Sequence, residues 1–163
     1  MTLAFLGELP DHDVAIVKDW FAEIVPAHIS ICGELTMRVE KYGSFSARGG
    51  RILWAGPEVS PEFETLVSRI RADLDALELS TELTPAPPGP WEPHITLARR
   101  AIAPDAVALL ADLPIQTEPD ELAGVTLFRS EIDAERGGVR YRPLRTVTGL
   151  TGLRGCSSRI RAH

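Results

Sequence analysis

The sequence predicts an α+β protein with two similar lobes, antiparallel sheets flanked by helices around a central cleft, the first lobe incomplete. Three observations lead there. Short segments that alternate polar and apolar residues are interleaved with segments of helical periodicity. The run His94-Ile95-Thr96-Leu97-Ala98 is echoed at the start of the chain by Met1-Thr2-Leu3-Ala4, one residue short of a histidine. Each copy then runs into the same order of signals. Pro10-Asp11 precedes an apolar-periodic run from Val14, and Pro104-Asp105 precedes Val107, Leu109, Leu110 and Leu113. Both read as strand, turn, Asp near a helix N-terminus, then helix.

Taken in order, residues 2–6 read as a strand. Asp11 or Asp13 starts a helix in which Val14, Val17, Phe21 and Ile24 recur at helical spacing, and Pro26 is expected to end it. His28-Ile29-Ser30-Ile31-Cys32 alternates and reads as a strand. Gly43, Gly49 and Gly50 bracket extended segments, and Arg51-Ile52-Leu53-Trp54-Ala55 is a strand. Ser60-Pro61-Glu62 supplies a cap, a fixed φ and an acid facing the helix dipole, and Phe63, Leu66, Val67, Ile70, Leu74 and Leu77 form the stripe that follows. Four prolines between Thr84 and Pro90 make a stiff loop that delivers the chain to His94. A third helix at about 104–112 leads to a hairpin of strands at about 122–132 and 139–147, turned by Glu135-Arg136-Gly137-Gly138. From about residue 148 the tail has no clear periodicity and is expected to be poorly ordered.

A chain of 163 residues with 44% hydrophobic content suits one domain, 1–163, with a real core. The net charge of −6 argues against a protein that coats long stretches of nucleic acid, which needs clustered Lys and Arg. It leaves room for an enzyme that grips one phosphate. The two cysteines, Cys32 and Cys156, form no disulfide framework, so a reducing cytoplasmic setting is expected. The opening run lacks the basic flank and length of a leader, and no stretch has the length of a membrane span, so no membrane partner is expected.

His94 is the leading candidate for chemistry. A neutral imidazole takes or gives a proton near neutral pH. On a strand, His94 and Thr96 share one face, and Ile95 and Leu97 the other, toward a core. An imidazole beside a hydroxyl is a small unit for moving protons and binding oxyanions. The competing account of His94 is a core histidine bonded to a carbonyl; that of Thr96 is ordinary strand propensity. His12, His28 and His163 have no His-x-x-x-His or Cys-x-x-Cys company, so no metal or other cofactor is expected. No glycine-rich phosphate loop with Lys and no Gly-x-Ser-x-Gly elbow is present.

Trp91-Glu92-Pro93-His94-Ile95-Thr96-Leu97 and Thr2-Leu3-Ala4-Phe5-Leu6-Gly7-Glu8 resemble the two signature strands of the 2H phosphoesterases. The branch they look like is the bacterial RNA 2′,3′-cyclic phosphodiesterases, or 2′–5′ RNA ligase family. Val125-Thr126-Leu127-Phe128-Arg129-Ser130 followed by Tyr141 is a further match, and the resemblance spans roughly 1–146. It implies a metal-free reaction at two histidines, with His94 as base, Thr96 and Thr2 holding the charged phosphorus centre, and Arg99 on the substrate phosphate. Strict alternation sets Arg99 opposite His94 and Arg100 beside it. The Arg99 role therefore needs the strand to end, twist or bulge first. Arg129 and Tyr141 match weaker positions, and Trp91 is a candidate for stacking on a base.

In the family's first His-x-Thr-x motif, Met1 occupies the x and the histidine precedes it. The resemblance thus implies an N-terminally shortened chain whose activity as written is weak or absent, either because its start is assigned too far downstream or because it is a genuine short product. The expected substrates are RNA ends or small nucleotides bearing a cyclic phosphate, acted on by a monomer. One rival is a 2H phosphoesterase for a small cyclic phosphate, such as a nucleotide or ADP-ribose derivative. Another is a non-catalytic binder of RNA ends or nucleotides.

Overall fold

The computed structural model describes residues 1–47, 49–80, 91–102, 108–115, 118–133 and 138–148. The Pro-rich segment at 84–90 and the tail beyond 148 lie outside the described residues. Helix α1 runs Asp11–Cys32, with Asp11 and Asp13 in its first turn, and gives way to Gly33 at φ 82°. The left-handed conformation of Gly33 turns the chain out of the helix at little steric cost.

Two expectations fail in this segment. Pro26 does not end α1, and His28 to Cys32 form its last turns, not a strand. The reason is the stripe Val17, Phe21, Val25 and Ile29, spaced every four residues and buried throughout. Continuing the helix past Pro26 buries Ile29, worth about 1.5–3 kcal/mol, and brings His28 to Asp73. Together these offset much of the roughly 3 kcal/mol that an interior proline costs. The same turns place the half-buried His28 Nε2 2.5 Å from Asp73 Oδ2 on the next helix.

Strands β1 (Thr36–Ala47) and β2 (Gly50–Val59) form an antiparallel hairpin through Gly49 and Gly50, both with positive φ. Helix α2 (Pro61–Ala76) starts as its sequence foretells, with the Ser60 hydroxyl accepting from Phe63 N–H at 3.3 Å. Strand β3 (Ile95–Ala101) adds to β2, and the short β4 (Asp120–Glu121) adds to the far side of β1. The sheet order is therefore β3-β2-β1-β4, with every pair antiparallel. Of the third helix, Ala108–Ala111 (α3) is described. Strands β5 (Gly124–Asp133) and β6 (Gly138–Thr148) form the expected second hairpin, a separate two-stranded sheet.

The larger apolar cluster joins Phe21, Val25, Ile29 and Leu35 to Phe63, Leu66, Val67, Ile70 and Leu74, so it lies between α1 and α2. Val125, Leu127 and Val147 of the hairpin pack onto it. On the four-stranded sheet, Leu53 and Leu110 make a smaller cluster with Tyr42, Ala98 and Ala101 at its margin. Residues 2–6 do not pair as a strand. Leu3, Ala4 and Leu6 pack on the larger cluster, and side chains hold the backbone where a ladder was expected: Arg71 Nε donates to the Leu3 carbonyl at 3.0 Å. Phe5 is left 67% exposed. Among the described residues, no helix is long and apolar enough to cross a membrane.

Candidate active site

Strand β3 sets the candidate site, and two interruptions of its pairing with β2 decide which side chains share a face. Ile95 pairs with Ala55 and Thr96 with Trp54, in regular register. The next pair is Ala98 with Leu53, so Leu97 is left without a partner. An unpaired residue reverses the alternation. Ala98 therefore joins the buried face of Leu53, and Arg99 returns to the face of Thr96 and Trp54. This is the bulge that the Arg99 role required. It also overturns the expectation that Leu97 points into a core, since Leu97 is 47% exposed.

A second irregularity follows, with three residues of β3 from Ala98 to Ala101 set against two of β2 from Leu53 to Arg51. Arg100 sits there at φ 57°, the one non-glycine residue with positive φ among those described. Gly50 makes room for the kink. A β-carbon on Gly50 would lie 2.9 Å from the Arg100 carbonyl carbon, closer than such contacts come. Arg99 and Arg100 are both exposed, and neither forms an ion pair with another described residue.

His94 immediately precedes β3 and is half-buried. Its Nδ1 lies 3.2 Å from the Glu92 carbonyl oxygen. With the proton on Nδ1 donated to that carbonyl, Nε2 carries the lone pair. Nε2 makes no hydrogen bond among the described residues. The ring meets Phe45 edge-on, with centroids 5.7 Å apart and planes at 87°. Phe45 in turn stacks on Trp54 at 5.2 Å and 25°. Phe45 and Trp54 escaped the sequence reasoning. The one available signal was an indole in the strand beside the histidine's own, and it says nothing of which strands pair.

The opening segment reaches the same region through Trp91, whose Nε1–H donates to the Thr2 carbonyl at 3.4 Å. Trp91 also packs edge-on against Phe63 at 5.7 Å, so it joins the core to the segment that leads into His94. That contact gives Trp91 a structural role. The other described histidines are engaged elsewhere. His12 is tied to Asp13 and Ser80, and His28 to Asp73. Arg129 lies 3.3 Å from Asp11, and Tyr141 packs edge-on against Phe128 on the hairpin. No group of three or more His, Cys, Asp or Glu among the described residues is arranged to hold a metal ion.

The chain is thus an α+β protein with an imidazole and a hydroxyl at the start of a sheet strand and two exposed arginines after a bulge in that strand. Residues 1–129 match the family model of the 2′-5′ RNA ligase superfamily, and the chain belongs to that superfamily. The matched region takes in α1, α2, β1 to β4 and most of β5. The fold is similar to that in the crystal structure of TT0787 of Thermus thermophilus, with a TM-score of 0.58 and 23% sequence identity over 90% of this chain and 75% of that one. Among curated proteins no match is found.

Proposed function

We propose that this chain is a cyclic phosphodiesterase that opens a 2′,3′-cyclic phosphate, at an RNA end or on a nucleotide, to a 2′-phosphomonoester. The observation that carries this reading is the state of His94, whose Nδ1 faces the Glu92 carbonyl while Nε2 is unpartnered among the described residues. Nε2 takes a proton from water, and the resulting oxygen attacks phosphorus. The bond from phosphorus to the ribose 3′ oxygen breaks, and a second acid supplies the proton that this oxygen needs. Thr96 and Thr2 hold phosphoryl oxygens through their hydroxyls. Arg99, exposed on the face of Thr96, matches the charge that grows on phosphorus in the transition state. Superfamily membership supports the class of chemistry. With the 5′-hydroxyl of a second RNA end attacking in place of water, the same geometry joins ends through a 2′–5′ linkage, the bond from phosphorus to the 3′ oxygen again breaking.

A second reading, a binder of RNA ends or nucleotides, has one observation in its favour. His94 is the single imidazole at this site among the described residues. The test uses 2′,3′-cyclic CMP and a short RNA ending in a 2′,3′-cyclic phosphate. Each is given to the chain as it stands and to a form extended so that a histidine precedes Met1. Turnover to the 2′-phosphate, greater in the extended form and abolished by His94→Ala, is the expected result. Saturable binding without turnover in both forms makes the binder the correct reading. Turnover of the mononucleotide alone identifies a small cyclic phosphate as substrate.

A further inference from the structure

His94 stands one residue ahead of Ile95, the first paired position of β3, so no ladder partner fixes its backbone. Among the described residues, the Glu92 carbonyl and the edge-on meeting with Phe45 hold its ring instead. Phe45 is itself 41% exposed and has Trp54 stacked against it. Beneath Trp54 the sheet is bare. Its cross-strand partner is Gly43, where a β-carbon would overlap the indole Cζ2. A β-carbon on Gly56 would come within 2.8 Å of the indole Cζ3. The indole thus lies flat on two glycines, its height above the sheet set by the backbone. Phe45 stacks on that indole and meets the His94 ring edge-on.

Accepting His94 as the reacting imidazole, we propose that Phe45 and Trp54 are positioning residues. They form a ring column, seated on Gly43 and Gly56, that holds His94 in the orientation where Nδ1 meets Glu92 and Nε2 faces the phosphate. Edge-to-face and offset ring pairs have defined geometry, unlike contacts between aliphatic side chains. A reacting group misplaced by about 1 Å costs rate far more than it costs binding.

The variant that tests this is Gly43→Ala. Gly43 is outside the positive-φ set, so its backbone accepts alanine, and the obstacle to the methyl group is the indole. In the histidine-extended form, kcat for 2′,3′-cyclic CMP is expected to fall about tenfold, equivalent to about 1.4 kcal/mol, with KM unchanged. The imidazole signals of His94 in a 1H–15N NMR spectrum shift in the same variant. Adding Trp54→Phe, whose smaller ring leaves space for the methyl, restores both. Thermal melts of the single and double variants confirm that each is folded. Unchanged His94 signals in Gly43→Ala overturn the proposal, as does a folded double variant that recovers neither signal nor rate. If no form turns over cyclic phosphate, the phosphodiesterase reading fails by itself, and the His94 signals still decide whether the column positions the ring.

Discussion

The buried carboxylate of Asp13 binds Ser80 twice, accepting from its backbone N–H at 3.1 Å and from its hydroxyl at 3.0 Å. This joins the first turn of α1 to the segment that follows α2. The Ser80 oxygen also lies 2.7 Å from His12 Nε2. Ser80 is exposed, so the cost of Asp13→Ala is the loss of these two bonds, each worth about 0.5–1.5 kcal/mol, or about 1–3 kcal/mol together. Ser80→Ala keeps the backbone bond and removes the hydroxyl alone, so about 1 kcal/mol is expected. Urea denaturation curves of the two variants check the ranking. Equal midpoints for both would show that the hydroxyl carries the whole contact.

Arg99 and Arg100 are neighbours with opposite expected effects. The unpaired Leu97 turns Arg99 to the face of Thr96, whereas regular alternation would put Arg100 there. Arg99→Ala is expected to weaken binding of 2′-CMP by roughly 10- to 100-fold, the loss of a charge-assisted contact worth about 1.5–3 kcal/mol. Arg100→Gly is expected to leave binding within about twofold and to raise stability by roughly 0.5–1 kcal/mol, since glycine accepts the φ of 57° without strain. Calorimetric titration and thermal melts report the two effects separately. A larger binding loss at Arg100 than at Arg99 would mean that the bulge does not set the facing side.

Trp91 separates packing from hydrogen bonding. Trp91→Phe keeps a ring against Phe63 and removes the long Nε1–H donation to the Thr2 carbonyl. Its expected cost is under about 1 kcal/mol. Trp91→Ala removes the ring from the larger apolar cluster and is expected to cost about 3 kcal/mol or more. If Trp91→Phe proves as damaging as Trp91→Ala, the bond to Thr2 matters more than its 3.4 Å length suggests.

What the sequence made legible follows from where local signals act alone. Helix α2 could be read because its cap, first-turn proline and apolar stripe all agree, and the second hairpin because glycines separate two alternating runs. The α+β class followed from these. Residues 2–6 misled because their apolar run and their echo of residues 95–98 are real, but their backbone is met by Arg71 and Trp91 side chains instead of a strand. At the candidate site, the neighbourhood of His94 and Thr96 was legible from their spacing. The side taken by Arg99 was not, since a bulge depends on the partner strand and leaves no mark in the alternation of β3 itself. Phe45 lies 49 positions before His94, and contacts at that separation exist only once strands pair.

Pro26 offers the sharpest test of why α1 is longer than its sequence suggests. As proline it lacks the N–H that would bond the Ala22 carbonyl, and its ring crowds that carbonyl. The helix persists because Val25 and Ile29, on either side, are 0% and 7% exposed in the larger cluster. Pro26→Ala restores the missing donor at a half-buried position and is expected to stabilise the protein by roughly 1–3 kcal/mol. Ile29→Ala is expected to cost about 2–4 kcal/mol, and in combination with Pro26→Ala it should fray the last turns of α1 less than it does alone. Amide hydrogen exchange at residues 28–32 reads this directly. Protection there that is high in the parent, low in Ile29→Ala and partly regained in the double variant is the expected pattern. Protection indifferent to Ile29 would mean that tertiary burial is not what carries the helix past its proline.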